Sequence, residues 1–252
     1  MGNDRFVNGI GVPWPAALWL VRHGESDGNV ANAFARRNHA LRLELDVNDI
    51  DVPLSQLGRQ QAVALGKWFA DGDTAQQPTV AVVSPYIRAR QTAEIVLETA
   101  RMAGIPVVYD ERFRDREQGV IDRLTGAGLR DAYPEEAKRR DYLGKFWYRP
   151  MGGESWADVA LRVRAALLEL RLAMPDERVL VVSHDVPILI VRYVLERLSA
   201  ADVAALSGRL PNCSLTRYER DGDKLRLDAF ADATPLEEDA EAVVTAHEYS
   251  DE

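Results

Sequence analysis

Two of the four histidines in this 252-residue chain close short apolar runs in the same way. His23 ends Leu18-Trp-Leu-Val-Arg22-His23-Gly24-Glu25-Ser26, and His184 ends Val179-Leu-Val-Val-Ser183-His184-Asp185. Each run reads as a buried strand leading into a helix. In open parallel sheets ligands sit beyond the carboxyl ends of strands, where a following helix offers backbone N–H groups to an anion. An imidazole placed there can attack, donate a hydrogen bond or carry a proton. One such histidine alone would read as a buried ring with satisfied hydrogen bonds, but two at equivalent strand ends point to a shared site. His39 and His247 lack this setting. Arg22 can join His23 because the chain leaves the sheet at Gly24, so neighbouring side chains can converge.

A third segment, Val82-Val83-Ser84-Pro85-Tyr86-Ile87-Arg88-Ala89-Arg90-Gln91-Thr92-Ala93, adds an arginine in the first turn of a helix behind a strand. Arg88 and Arg90 lie about 200° apart around a helix, so only one can face the crevice. Arg88 is assigned to it.

These groups need a scaffold of alternating strands and helices. Leu18–Arg22, Thr79–Val83 and Arg178–Ser183 read as buried parallel strands, each with a helical pattern after it, which is a βαβ architecture. Helices are expected over Ser55–Ala70 with Ser55 as cap, and over Pro85–Arg101 with Ser84 as cap and Pro85 first. Two more are expected over Ser155–Ala173 and after Asp185, with Pro187 in the first turn. Leu215–Tyr218 and Leu225–Phe230, joined by Asp221-Gly222-Asp223, read as a hairpin. Residues 112–150 break the rhythm: positions 112–149 hold ten Arg/Lys against seven Asp/Glu. That stretch is a candidate insertion or lid in a single domain over 1–231, or else a solvated helical face. Its aromatics, Tyr133, Tyr142, Phe146, Trp147 and Tyr148, could line such a lid or simply pack. Residues 232–252, with eight acidic residues and no Lys or Arg, read as a mobile tail, with a short helix conceivable over 242–249.

Bulk properties narrow the partners. A formal charge of -9 repels nucleic acid and anionic membrane alike. Cys213 is the only cysteine, which rules out an intrachain disulfide and a cysteine-rich zinc site and suits a reducing cytoplasm. The apolar runs fall well short of the roughly 20 residues that cross a bilayer. No Walker-type loop, dinucleotide loop or His-Glu-x-x-His zinc motif occurs. The expectation is an enzyme without metal or cofactor, with a homodimer as one open assembly.

The ordered motifs resemble those of the histidine phosphatase superfamily, also called the phosphoglycerate mutase-like family. Arg22-His23-Gly24-Glu25-Ser26 with Asn29 resembles its nucleophile segment. Asp51-Val-Pro53-Leu54-Ser55 through Gly58 and Gln61-Ala62, then Arg88-Ala-Arg-Gln-Thr92-Ala93, Gly152-Gly153-Glu154-Ser155 and Ser183-His184-Asp185 follow in family order. The resemblance implies a three-layer α/β/α sandwich with a mostly parallel sheet. It also implies a phosphate pocket of Arg22, His23, Arg88 and His184, with Asn29 as a further ligand. Guanidinium groups suit phosphoryl oxygens through paired donors. Neutral His23 would attack phosphorus, and water would hydrolyse the phosphohistidine, releasing inorganic phosphate from a small phosphorylated substrate.

The family usually carries a glutamate as general acid four residues before a glycine. Here Asp115 stands four residues before Gly119, with Glu117 close by as the reserve, either as acid or as substrate contact. The bland alternative makes both surface partners of Arg114 or Arg116. The chain lacks the Trp-Arg-Leu-Asn-Glu-Arg-His-Tyr-Gly-like run associated with cofactor-dependent phosphoglycerate mutases, which favours a histidine acid-type phosphatase over mutase-type transfer. Two weaker readings remain. Gly24-Glu25-Ser26-Asp27-Gly28 fits a Gly-x-Ser-x-Gly elbow with Ser26 as esterase nucleophile, and a pocket can also bind phosphate without turnover.

Overall fold

The computed structural model describes residues 11–74, 77–239 and 241–246. Six strands form one sheet: β1 Ala17–Arg22, β2 Val80–Val83, β3 Val107–Tyr109, β4 Arg178–Ser183, β5 Leu215–Asp221 and β6 Lys224–Asp232. Their spatial order is β3-β2-β4-β1-β5-β6. The first four neighbours run parallel, and β5 and β6 add an antiparallel hairpin at the other edge. Gly222 turns that hairpin with φ of 62°, a left-handed value that glycine adopts without a Cβ penalty.

Alternation along the strands splits the core into two layers. Leu18, Leu20, Val80, Val82, Val179 and Val181 face one side, where they meet helices α6 Trp156–Ala173 and α7 Asp185–Glu196. Trp19, Val21, Ala81, Val83, Leu180 and Val182 face the other, against α2 Gln56–Asp71 and α3 Ile87–Thr99. The result is the three-layer α/β/α sandwich expected from sequence. Burying each such side chain contributes about 1.5–3 kcal/mol, so the strand ends that carry the site stand on the stiffest part of the molecule.

Local sequence explains most helix starts. Ser26 caps α1 Asp27–Arg37 in a capping box with Asn29, Ser55 caps α2, and Ser155 caps α6 in a box with Asp158. One expected cap fails. Helix α3 begins at Ile87 behind Tyr86, not at Pro85 behind Ser84, because the Ser84 hydroxyl is engaged by a buried histidine ring.

The charged stretch folds into α4 Gly126–Ala132 and α5 Pro134–Trp147, with α5 packed on α4 and α6. Its aromatics divide: Phe146 and Tyr148 are buried, while Tyr133, Tyr142 and Trp147 are exposed. Two further short helices complete the chain, α8 Ala200–Ala204 and α9 Thr234–Glu237.

The acidic tail, expected to be mobile from residue 232, has its first part seated on α2. Leu236 is fully buried, Lys67 pairs with Asp239 at 2.8 Å, and Gln61 Nε2 donates to Val243 O and Thr245 Oγ1 at 2.8 Å each. Apolar residues interleaved with the acids make this packing favourable. Residues 242–246 form no helix, because their carbonyls and hydroxyls are used by Gln61 and Asn212; positions 247–249 lie outside the described residues.

Candidate active site

Strand register brings the two histidines together. In the parallel β1–β4 pair Arg22 lies opposite Ser183, so the next residues, His23 and His184, leave the sheet side by side. Their ring centroids are 5.0 Å apart at an interplanar angle of 62°. Both are buried. The His23 Nδ1 lies 2.7 Å from Gly24 O, so that nitrogen carries the proton and Nε2 is left with its lone pair. Burial, and then the charges of Arg88, His184 and Arg22, hold the His23 imidazole well below its ordinary range, against the opposing Gly24 hydrogen bond. The ring is therefore neutral, as a nucleophile must be.

His184 Nε2 sits 2.8 Å from Ser84 Oγ. With that nitrogen accepting from the hydroxyl, Nδ1 carries the proton; it lies 3.4 Å from Asp115 Oδ2 and makes no hydrogen bond. Burial, and after it Arg88, Arg162 and Arg22, keep His184 neutral too. Tyr86 packs edge-on against its ring at 5.1 Å.

The helix-periodicity argument separates the two arginines as expected. Arg88 is buried, whereas Arg90 is exposed with its guanidinium over the Tyr109 ring. Arg88 Nη2 reaches Asp115 Oδ2 at 3.0 Å, and Nη1 reaches Asp49 O at 2.6 Å. Arg22, also buried, donates to Leu210 O. Asn29 uses Oδ1 to accept from Ser26 N at 3.0 Å, which orients its amide NH2 as the group available to a ligand.

The flanking motifs turn out to hold the loop after His23. Gly24 N donates to Thr92 Oγ1 at 3.0 Å, Glu25 N to Gln61 Oε1 at 2.8 Å, and Ser55 Oγ to Glu25 Oε1 at 2.8 Å. A Cβ on Gly24 would lie 2.4 Å from Gly58 O. No side chain fits there, so α2 approaches the loop closely only with glycine at this position.

A second clamp holds the segment of the candidate acid. Arg162, on α6, donates to the carbonyls of Arg112, Arg114 and Asp115 at 2.6, 2.9 and 3.1 Å. Its partner Glu154 accepts from Arg162, from Arg114 and from Glu117 N. Burial pushes Glu154 up, but these donors outweigh it and leave the carboxyl below its ordinary value. Gly119, with φ of 55°, packs so tightly that a Cβ would meet Met151 O at 2.2 Å. Asp115 thus meets Arg88 and His184, while Glu117 is exposed and its Oε1 accepts from Gly119 N at 3.4 Å.

Several partners carried no local signal in the sequence. Asn212 is fully buried and its Nδ2 donates to His23 O at 3.0 Å across 189 residues. Asp49 and Ser84, each in contact with a pocket residue, were likewise unmarked, the latter being read as a helix cap. Ser26, by contrast, is no exposed nucleophile: it is buried and its hydroxyl serves the α1 cap. Among the described residues, no group of three or more His, Cys, Asp or Glu side chains could hold a metal ion, and no helix is long and apolar enough to cross a membrane.

Two imidazoles packed ring to ring, with the buried Arg22 and Arg88 beside them, stand where parallel strands β1 and β4 end and helix α3 begins on an α/β sandwich. The chain belongs to the histidine phosphatase superfamily (branch 1), whose family model matches residues 18–233. It is 30% identical over 210 residues to the 2,3-bisphosphoglycerate-dependent phosphoglycerate mutase 2 of Gloeobacter violaceus, covering 82% of this chain and 87% of that protein. It is 28% identical to an uncharacterized phosphatase of Bacillus subtilis strain 168, over 84% and 92% of the two chains. Among solved structures it resembles a mycobacterial glucosyl-3-phosphoglycerate phosphatase in complex with VO3, with a TM-score of 0.67, 30% identity, and coverage of 86% and 100%.

Proposed function

We propose that the protein hydrolyses phosphate monoesters through a phosphohistidine on His23, without a metal. The observation that carries this reading is the tied Nδ1 of His23, which leaves a neutral Nε2 on a ring packed against His184 and within the field of Arg88. The phosphoryl oxygens take the donors of Arg22, Arg88, His184 and the Asn29 amide. Nε2 attacks phosphorus as the ester oxygen leaves. These preset donors meet charge already spread over the oxygens, so positioning and electrostatics supply most of the acceleration.

Asp115 supplies the leaving-group proton. In the free protein its Oδ2 takes a donor that a phosphoryl group needs, Arg88 Nη2, and lies 3.4 Å from the unsatisfied His184 Nδ1. An arriving phosphate displaces it, and a carboxyl facing phosphoryl oxygens avoids like-charge contact by carrying a proton. That proton passes to the ester oxygen. The resulting carboxylate then takes a proton from water, whose oxygen attacks phosphorus and releases phosphate and neutral His23.

The neighbouring relatives carry both mutase and phosphatase names. Hydrolysis is favoured here by a cavity of about 400 Å³ with Asp115 in its lining, since a mutase must keep water from its phosphohistidine. Phosphate release from p-nitrophenyl phosphate and 3-phosphoglycerate, measured beside isomerisation of the latter, tests the reading. His23→Ala should abolish release with the circular dichroism spectrum unchanged, and mass spectrometry should find phosphate on His23 in a quenched wild-type reaction. Isomerisation outrunning release, or full activity in His23→Ala, would overturn it.

A further inference from the structure

Two side-chain amides hold the backbone on either side of Gly24. Gln61, on α2, accepts from Glu25 N through Oε1 at 2.8 Å, and Asn212, in the turn before β5, donates from Nδ2 to His23 O at 3.0 Å. Both side chains are fully buried. Such an amide serves a backbone group only when its oxygen and nitrogen face the right way, because the flipped form sets NH2 against N–H or oxygen against carbonyl. The orientation of each must therefore be fixed by its other end.

In both cases that other end meets the segment after α9. Gln61 Nε2 donates to Val243 O and to Thr245 Oγ1, at 2.8 Å each. A carbonyl can only accept, so the nitrogen of Gln61 faces this segment and Oε1 is left for Glu25 N. Thr245 Oγ1, having accepted from Gln61, donates its own proton to Asn212 Oδ1 at 3.1 Å, while Thr245 O accepts from Asn212 N at 2.8 Å. Asn212 Nδ2 is thereby turned toward His23 O, and it also comes within 3.4 Å of Asn29 Oδ1. One hydroxyl sets both amides, and through them the backbone of His23 and Glu25 and the side chain of Asn29.

The turn that carries Asn212 has little support of its own. Cys213 takes a φ of 52°, a left-handed value that few residues with a side chain adopt, and its N–H donates to Arg22 O at 3.0 Å. The segment that reaches this turn is itself anchored. Leu236 and Ala242 are buried in the layer that contains α2, and Lys67 pairs with Asp239.

We propose that Thr245 is a positioning residue for the reaction at His23, acting through Gln61 and Asn212. The inference rests on His23 as the nucleophile and on no particular leaving group. Without the hydroxyl, Gln61 keeps Val243 O, but Asn212 Oδ1 is left buried without its donor, which favours a turned amide. His23 O then loses the Nδ2 donor, and the ring shifts with its backbone. A shift of about 1 Å in a reacting group costs roughly 100-fold, and a smaller one correspondingly less.

Thr245→Val keeps the shape and the backbone carbonyl and removes only the hydroxyl, which Thr245→Ser retains. In Thr245→Val, kcat should fall about tenfold or more. The loss should be the same for an alkyl phosphate and for 2,4-dinitrophenyl phosphate, because the nucleophile moves and the proton donor does not. The Kd of inorganic phosphate, read by calorimetry, should rise about threefold to tenfold as the Asn29 amide loses its orientation, the size of one hydrogen bond. Thr245→Ser should stay within about threefold of wild type on both measures, and the exposed Val244→Ala should match wild type. A chain ending at Val244 should lose more than Thr245→Val, since the carbonyl that holds Asn212 N goes as well. A threonine that only stabilised the fold would lower Tm while the folded enzyme kept its kcat and its Kd for phosphate. That result in Thr245→Val, equal losses in the valine and serine variants, or full activity in the shortened chain overturns the inference. Failure of the phosphatase reading shows separately, as no phosphate release by the wild type, and the phosphate Kd needs no turnover.

Discussion

Replacing Glu154 by alanine should separate placement of the acid from binding of the phosphate. Glu154 touches neither imidazole. It holds Arg162 through two contacts at 3.0 Å, Arg114 at 2.8 Å and Glu117 N at 3.1 Å, with a side chain only 15% exposed. Cutting one partner from a fully buried ion pair costs about 3–5 kcal/mol. Arg162 keeps its three carbonyl acceptors here, and both side chains retain some water, so about 2–3 kcal/mol is the better figure. For a chain of this size that lowers Tm by roughly 4–12 °C, which leaves a folded protein to assay. The backbone of residues 112–117 loses its clamp and Asp115 drifts. A shift of about 1 Å in a reacting group costs roughly 100-fold, but only where the leaving oxygen needs a proton. Turnover of an alkyl phosphate should therefore fall about 100-fold, while that of 2,4-dinitrophenyl phosphate, whose leaving group departs unprotonated, should fall by less than about fivefold. Glu154→Gln, which keeps the shape and two of the acceptor positions, should lie between. Equal losses on both substrates would refute the positioning role and make Glu154 part of general stability.

Other consequences follow from single contacts. Arg88→Ala should weaken competitive inhibition by vanadate or phosphate about tenfold or more, because a buried guanidinium is lost, whereas the exposed Arg90→Ala should change it little; equal effects would contradict the assignment. The His23 ring, held below its ordinary range by burial and then by Arg88, His184 and Arg22, should remain neutral when an ordinary histidine is half protonated, at pH 6.5. Nitrogen NMR of labelled protein reads this directly, and a midpoint at or above that pH would show that the burial argument is wrong. Since a protonated ring cannot attack, the same shift keeps the nucleophile active on the acid side of 6.5. Gly24→Ala should unfold the protein or shift α2, because the added methyl meets the Gly58 carbonyl rather than a movable side chain; a wild-type Tm would refute the close approach.

Much of this architecture is local chemistry, readable residue by residue. The strands around Leu18, Val80 and Val179 are short apolar runs, the serine cap at 55 announces its helix, and Gly222 marks the hairpin turn. The strand-end histidines and Arg88 follow from the same local logic, because a strand's end and a helix's first turn are set by a handful of neighbouring residues. Strand β3 escaped notice because Val107-Val108-Tyr109, though apolar, is a run of only three residues, too short to show a strand period.

Tertiary structure decided which of these groups meet. Only the register of β1 on β4 puts His23 beside His184, and only the path of the segment after β3 puts Asp115 rather than Glu117 on Arg88. The donation from Asn212 to the His23 carbonyl, the reach of Ser84 to His184 and the grip of Arg162 on the acid segment connect residues 47 to 189 positions apart. Such contacts leave no period in the chain, because they satisfy polar groups that become buried only once the layers close.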